Sequence, residues 1–529
     1  MSAITAALVD APWIVWVMAL PLVSATAAFV ARSGAAWVGM AGSCATAASV
    51  AALASQVWQG GSQRYPIGGW ASPLGIDLYA DGLSVCLLLL TAVIGVPTGL
   101  YATAYFSESA AGPGATASGA RRAEFWVLWL FLWAALNALF LSGDAFNLYV
   151  TLELVTLSGV SLVALAGTRA AIAAALRYLL VALFGSLLYL LGVALLYAGH
   201  GVLDVATLGS LLAPGTTLAD TALAATASAD TALAATASAG AASAGALSLI
   251  VVGLAFKGAL FPMHVWLPPA HASAPAPVSA VLSGLVVTAS FYVLLRLWFD
   301  AFAGAVSGGA GTVLAVLGAA AIGWGSLQAL RVPGLKALVA YSTVAQLGYL
   351  FLVFGLTTAG DRSEAWTGGV LFALSHGCAK ASLFLAAGCI VHAAGHDRIA
   401  ELGGVGRRLP VTFFTIALAS VTLMGLPPSG AFVAKWMLLQ AALDGGRLWV
   451  AVVILAGGLL AAGYLFRILG QAFTPSSTDA ALHVPGRMVW PALVLAVVAL
   501  GLGLGSAPIV DLLQVGALST HTLNETAGR

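Results

Sequence analysis

Apolar residues along the 529-residue chain neither alternate nor recur at a helical period; they fill long runs separated by short polar stretches. About 20 consecutive apolar residues suffice to cross a bilayer as a helix. Fourteen segments meet this standard: 12–31, 35–58, 80–105, 124–142, 145–166, 172–199, 246–270, 275–299, 309–330, 335–357, 366–394, 410–444, 447–472 and 487–512. Two of them predict broken helices. The seventh carries Pro262, Pro268 and Pro269 near its end, and the twelfth is too long for one straight crossing and contains Pro427 and Pro428. A break at membrane depth is tolerated only where protein or a wet cavity surrounds it.

Composition narrows the class. The chain is 61% hydrophobic and 7% charged, too little charge to cover a soluble protein of this length. A net charge of +1 gives no reason to expect a nucleic-acid partner. The four cysteines, Cys44, Cys86, Cys378 and Cys389, lie in apolar runs and form no C-x-x-C pair. Neither a metal site nor a cofactor site is therefore expected in this chain. Asp10 and the lack of Lys or Arg before the first run argue for a retained span rather than a cleaved signal.

Loop charge predicts orientation. Loops after odd-numbered spans hold Arg32, Arg121, Arg122, Arg169, Arg331, Arg398, Arg407 and Arg408 among others, whereas those after even-numbered spans hold only Arg64, Arg362 and Arg447. The positive-inside bias places the odd loops in the cytoplasm and both termini outside. Residues 59–79 are expected to form a small external hairpin around Tyr65-Pro66-Ile67-Gly68-Gly69-Trp70. Residues 219–238 repeat ADTALAATAS in tandem, within a low-complexity stretch (200–245) expected to be a solvated loop.

The charges inside spans carry the chemistry. A charge at the bilayer centre costs roughly 2.5–3.5 kcal/mol even on insertion scales. Of twenty Lys and Arg residues only Lys257, Lys336, Lys380 and Lys435 are lysines. Lysine can surrender its proton when buried whereas arginine does not, so a proton path needs the former. Lys257 and Lys435 lie beside the predicted breaks, which suggests two repeated half-units. Glu153 sits in the middle of the fifth span, with Asp144 at its mouth. His376 precedes Lys380 by four residues, on the same helical face. His376 also suits a helix-packing role, and Lys336, beside Arg331, suits a cytoplasmic anchor as well as a transport role.

These segments carry a family pattern. Phe256 to Leu285 (FKGALFPMHVWLPPAHASAPAPVSAVLSGL) resembles the seventh and eighth helices of the antiporter-like subunits of respiratory complex I, of the D-type subunit of Mrp cation/proton antiporters and of energy-converting hydrogenase membrane subunits. Leu335 to Leu352 (LKALVAYSTVAQLGYLFL), Leu374 to Gly388 (LSHGCAKASLFLAAG) and Met424 to Leu439 (MGLPPSGAFVAKWMLL) resemble the tenth, eleventh and twelfth. The resemblance implies an all-α membrane protein of about fourteen helices with two inverted five-helix repeats, each holding a broken helix. It divides the chain into residues 1–123, a first repeat (124–303), a second (304–472) and a C-terminal helix and tail (473–529).

By the same resemblance, proton transfer is expected at Glu153, Lys257, His376, Lys380 and Lys435. Thr288 stands where the family usually has an eighth-helix lysine or histidine. The implied role is a non-catalytic proton-translocating subunit in a bacterial inner membrane, working with other membrane subunits of a multi-subunit complex. Two versions remain open: a sodium/proton antiporter, or a redox-driven pump whose redox chemistry lies in the partners. The segment HVWLPPAHASAPAPVSA resembles the D-type and hydrogenase relatives more than core complex I subunits, which leans towards the antiporter-type or stand-alone branch, and no long amphipathic helix is expected after residue 512. An unrelated solute transporter and a scaffold that has lost transport are the alternatives.

Overall fold

In a bilayer the backbone must satisfy its own hydrogen bonds, which helices do within one segment. A computed structural model describes residues 11–70, 75–108, 115–213, 229–303, 305–306, 308–357, 364–475 and 482–516. Twelve of the described helices are long and apolar enough to cross a membrane. The spans used below are α1 (Trp13–Val30), α2 (Ala35–Gly60), α3 (Gly82–Glu108), α4 (Ala115–Leu141), α5 (Ala145–Ala164), α6 (Arg169–His200), α7 (Ala229–Lys257), α8 (Leu267–Ser273), α9 (Ala276–Ala301), α10 (Gly308–Arg331), α11 (Leu335–Leu356), α12 (Glu364–Ala394), α13 (Pro410–Met424), α14 (Gly430–Asp444), α15 (Leu448–Ala472) and α16 (Gly486–Leu504). The predicted seventh and twelfth spans are the broken ones: α7 with α8, and α13 with α14. The chain is thus a multi-pass, nearly all-helical membrane protein.

Burial sorts the helices into a core row and a rim. The most apolar stretches of α9 and α12 are wholly buried and that of α11 nearly so. On the rim, α6 and α15 turn Leu180, Phe184, Leu187, Val452, Leu459 and Phe466 outward, the surface a lipid-facing helix needs.

Each break is built from local chemistry. After Lys257 the chain turns at Ala259, which holds a left-handed φ of 52°, and passes Pro262 into a short 3₁₀ turn before α8. The Trp266 indole donates to the Phe256 carbonyl at 2.9 Å, beside the Ala259 N–H at 3.3 Å. The second break leaves α13 at Gly425, left-handed at φ 80°, and restarts at α14, where the Ser429 side chain caps the Phe432 N–H. Helix α9 is irregular in another way, with π turns at Leu282–Val286 and Leu297–Ala301.

Small residues bring the core helices together. A side chain on Gly253 would meet the Gly185 carbonyl at 2.4 Å, and one on Gly348 would meet that of Gly318 at 2.3 Å. Gly284 and Gly377 seal α9 against α12 in the same way. Before the third span, strands β1 (Gln63–Pro66) and β2 (Asp77–Ala80) pair antiparallel, with Gln63 opposite Ala80.

One expectation fails. The stretch 200–245 is not a continuous loop: a short helix covers Val205–Leu211, capped by Asp204, and α7 already begins at Ala229. The second copy of the duplicated decapeptide is therefore helical, whereas the first (219–228) lies outside the described residues. Half the unit is alanine, the strongest helix former, and the copy continues directly into the seventh span. From the packing we expect Gly253→Leu to force α6 and α7 apart and destabilise the protein by ~1–3 kcal/mol. Thermal unfolding in detergent should register a clear fall in midpoint.

Candidate functional site

The first group of site residues gathers three helices. Lys257, 4% exposed at the end of α7, donates to the Glu153 carboxylate of α5 at 2.8 Å and to Thr156 Oγ1, one turn along, at 2.9 Å. Ser186 of α6 donates to the same Glu153 oxygen. The Thr156 hydroxyl donates to the Leu152 carbonyl at 2.9 Å, which leaves its oxygen free to accept from the lysine. Asp144 caps α5 by accepting from the Asn147 N–H at 2.8 Å. Burial holds its carboxyl above the ordinary carboxylate value, against the pull of that hydrogen bond.

The second group lies on α12 and α14. Lys380, fully buried, donates to the Val339 carbonyl at 3.1 Å and to Ser342, both of α11. His376, also fully buried, stacks on Phe372 at 6.0 Å, and neither ring nitrogen has a hydrogen-bond partner. Lys435 reaches back across the second break to the Leu423 and Met424 carbonyls at 3.1 and 3.3 Å. Its ammonium also lies 4.3 Å from the centre of the Tyr349 ring. Among the described residues neither Lys380 nor Lys435 forms an ion pair.

The structure joins Glu153 to Lys257 and sets His376 and Lys380 on one helical face. It does not join the two groups through Thr288. That side chain is buried, and its hydroxyl donates to the Gly284 carbonyl of its own helix at 3.1 Å. Lys336 is no solvated anchor: it is buried and donates to the Ala274 carbonyl just before α9.

Sequence reading missed three buried polar groups. Arg296 is clamped by Asp81, with Nη1 to Oδ2 at 2.6 Å and a second contact from Nη2. Ser84 at 2.8 Å, Tyr292 at 3.1 Å and Asp300 at 3.2 Å complete the set. This clamp fixes α9 to the start of α3. The signal was available, since Arg296 falls inside the predicted eighth span. His264 and His271 flank the Pro268-Pro269 pair of the first break and are also buried. Removing Glu153's carboxylate with Glu153→Ala should destabilise the protein by ~1–3 kcal/mol through the unpaired lysine. The double variant with Lys257→Met should lose less than the sum, read from thermal unfolding in detergent; additive losses would contradict the pair.

Comparison with known proteins agrees with this architecture. A family described as "NADH:quinone oxidoreductase/Mrp antiporter, TM" matches residues 142–461. The NADH-quinone oxidoreductase subunit N of Desulforudis audaxviator is 33% identical, over 88% of this chain and 89% of its own length. The D-type subunit of the Na(+)/H(+) antiporter of Alkalihalophilus pseudofirmus is 27% identical, over 86% of each. A chain in the solved Mrp complex from Dietzia sp. DQ12-45-1b superposes with a TM-score of 0.78 at 25% identity, over 97% of this chain and 96% of that one. The lean towards the antiporter branch gains nothing here, because of these two relatives the more similar is the oxidoreductase subunit. With the motifs, the two broken helices and these matches together, the chain belongs to the NADH:quinone oxidoreductase/Mrp antiporter family of membrane subunits.

Proposed function

We propose that this chain is a proton-translocating subunit of a multi-subunit membrane complex, and that protons move along Glu153, Lys257, His376, Lys380 and Lys435. The observation that carries the reading is the Lys257–Glu153 pair, a titratable lysine held beside a helix break by a single carboxylate. Ionised Glu153 stabilises the ammonium form. When the pair loosens, the lysine passes its proton on along the series. The same pairing of lysine and break recurs at Lys435, whose ammonium holds the last carbonyls of α13.

That recurrence supports two inverted halves, over 124–303 and 304–472, each with its own broken helix. The relatives support the class: one is a subunit of a quinone oxidoreductase, the other of a sodium/proton antiporter. The arginine bias supports a bacterial inner membrane with both termini outside and the loops after odd-numbered spans in the cytoplasm. In either version this chain moves protons and its partner subunits supply the driving force or the counter-ion.

Lys257→Ala should abolish proton translocation by the assembled complex in membrane vesicles, read with a pH-sensitive dye, while the subunit still co-purifies with its partners. Unchanged translocation would refute the assignment. Identifying those partners by mass spectrometry separates the two versions, redox subunits marking the pump and small antiporter subunits the exchanger.

A further inference from the structure

Two cavities open side by side at one end of the bundle, and neither belongs to the proton series. The first is a polar cleft of about 420 Å³ where α3, α5 and α12 end and α11 begins. Arg121, Lys336, His396 and Asp397 line it, with Tyr105 and Ser273. The second is an apolar groove of about 370 Å³ between the ends of α1, α4 and α5. Phe29, Val127, Leu128 and Ala164 line the groove, with the half-exposed Arg32 and Glu124 at its edge. Leu165 lines both cavities, so cleft and groove meet there. This is the end of the bundle that the arginine bias assigns to the cytoplasm.

Charge in the cleft is unbalanced. Lys336 is buried, and an ammonium has three N–H donors. Among the described residues its hydrogen-bond acceptor is the Ala274 carbonyl, so further donors remain for the cleft that it lines. Asp397 is the carboxylate among the lining residues, and its field reaches the ammonium. The His396 ring is turned to Glu401, 3.5 Å away. With Arg121 included, two cations meet one carboxylate. The cleft is thus left with one positive charge, and a phosphodiester carries one negative charge.

The groove meets a different need. Phe29 is exposed beside it, and the Arg32–Glu124 pair stands at 3.8 Å. A surface pair of this kind is worth little, so Arg32 can exchange Glu124 for a phosphate oxygen at small cost. Free phosphate would use the cleft and leave the groove empty, and a bare acyl chain would do the reverse. A ligand that fills both has a charged head and an apolar tail joined across Leu165. Basic pockets between spans at the cytoplasmic surface suit lipid head groups.

We propose that the joined cavities bind an anionic phospholipid. Its phosphate accepts from Lys336 and Arg121, and one acyl chain passes Leu165 into the groove between α1, α4 and α5. A zwitterionic head group fits less well, because its own cation would meet a cleft that is already positive. The lipid ties the ends of α11 and α12 to those of α4 and α5, outside the proton series.

The test uses the chain in its assembled complex, purified in detergent and stripped of lipid. Phosphatidylglycerol with a photoreactive group on one acyl chain is compared with the matching phosphatidylcholine, and the crosslinked peptides are located by mass spectrometry. Phosphatidylglycerol should label residues 123–128 and 161–165 about tenfold more strongly. Arg121→Gln with Lys336→Met should remove that excess. Ala164→Phe, which fills the groove and leaves the charges in place, should remove it too. Equal labelling by the two lipids marks ordinary surrounding lipid and overturns the site, as does an excess that survives Arg121→Gln with Lys336→Met. Loss of the label to an excess of inorganic phosphate shows that the cleft takes the anion alone and overturns the lipid. If the variant with Lys336→Met does not assemble, the exposed Arg121 is replaced alone: a fall in the excess supports the site, and an unchanged excess overturns it.

Discussion

A helix that ends within a bilayer exposes carbonyl groups with no water to receive them, and the structure depends on how that need is met. At the second break the answer is Lys435, whose ammonium donates to the Leu423 and Met424 carbonyls. At the first it is the Trp266 indole on Phe256, leaving Lys257 free to turn to Glu153. The two breaks thus solve one constraint in two ways. One lysine is held by dipoles and an aromatic face, the other by a carboxylate. Charge on the first is only loosely held, whereas charge on the second is tied to the state of Glu153.

The rest of the core protects these arrangements. Glycine pairs bring α6 onto α7 and α10 onto α11, so the broken helices sit in a tightly packed surround. Arg296 does the opposite of the lysines: five contacts saturate its guanidinium and it serves as a fixed clamp between α9 and α3. The division between the two basic residue types follows their chemistry, since guanidinium keeps its charge and suits a permanent bond, while an amine can exchange its proton.

Much of this was legible in the sequence because the bilayer imposes simple rules. Run length gave the spans, Pro262 and Pro427-Pro428 gave the breaks, and lysine scarcity pointed to Lys257, Lys380 and Lys435. Glu153 and Lys257 are far apart in the chain, yet depth in the membrane singled out Glu153, and depth together with proximity to a break singled out Lys257. What escaped detection had weaker local signals. Asp81 opens α3 and looks like an ordinary cap, a role it does fill towards Ser84, while its second role needs Arg296 from a distant helix. His271 sits among prolines in a segment that reads as a connection, and its isolation from hydrogen-bond partners is a property of packing. The helical second copy of the decapeptide was hidden by its low-complexity composition, which hides helix propensity as readily as disorder.

The central claim is that the buried side chains proposed above, from Glu153 to Lys435, carry the proton through both halves. Time-resolved proton uptake and release, followed on opposite faces of vesicles holding the assembled complex, tests it most directly in Lys380→Met, which cuts the series within its second half. The account predicts that uptake persists, limited to the groups before the cut, while release on the far face is lost. Release at the native rate would show that the proton travels elsewhere.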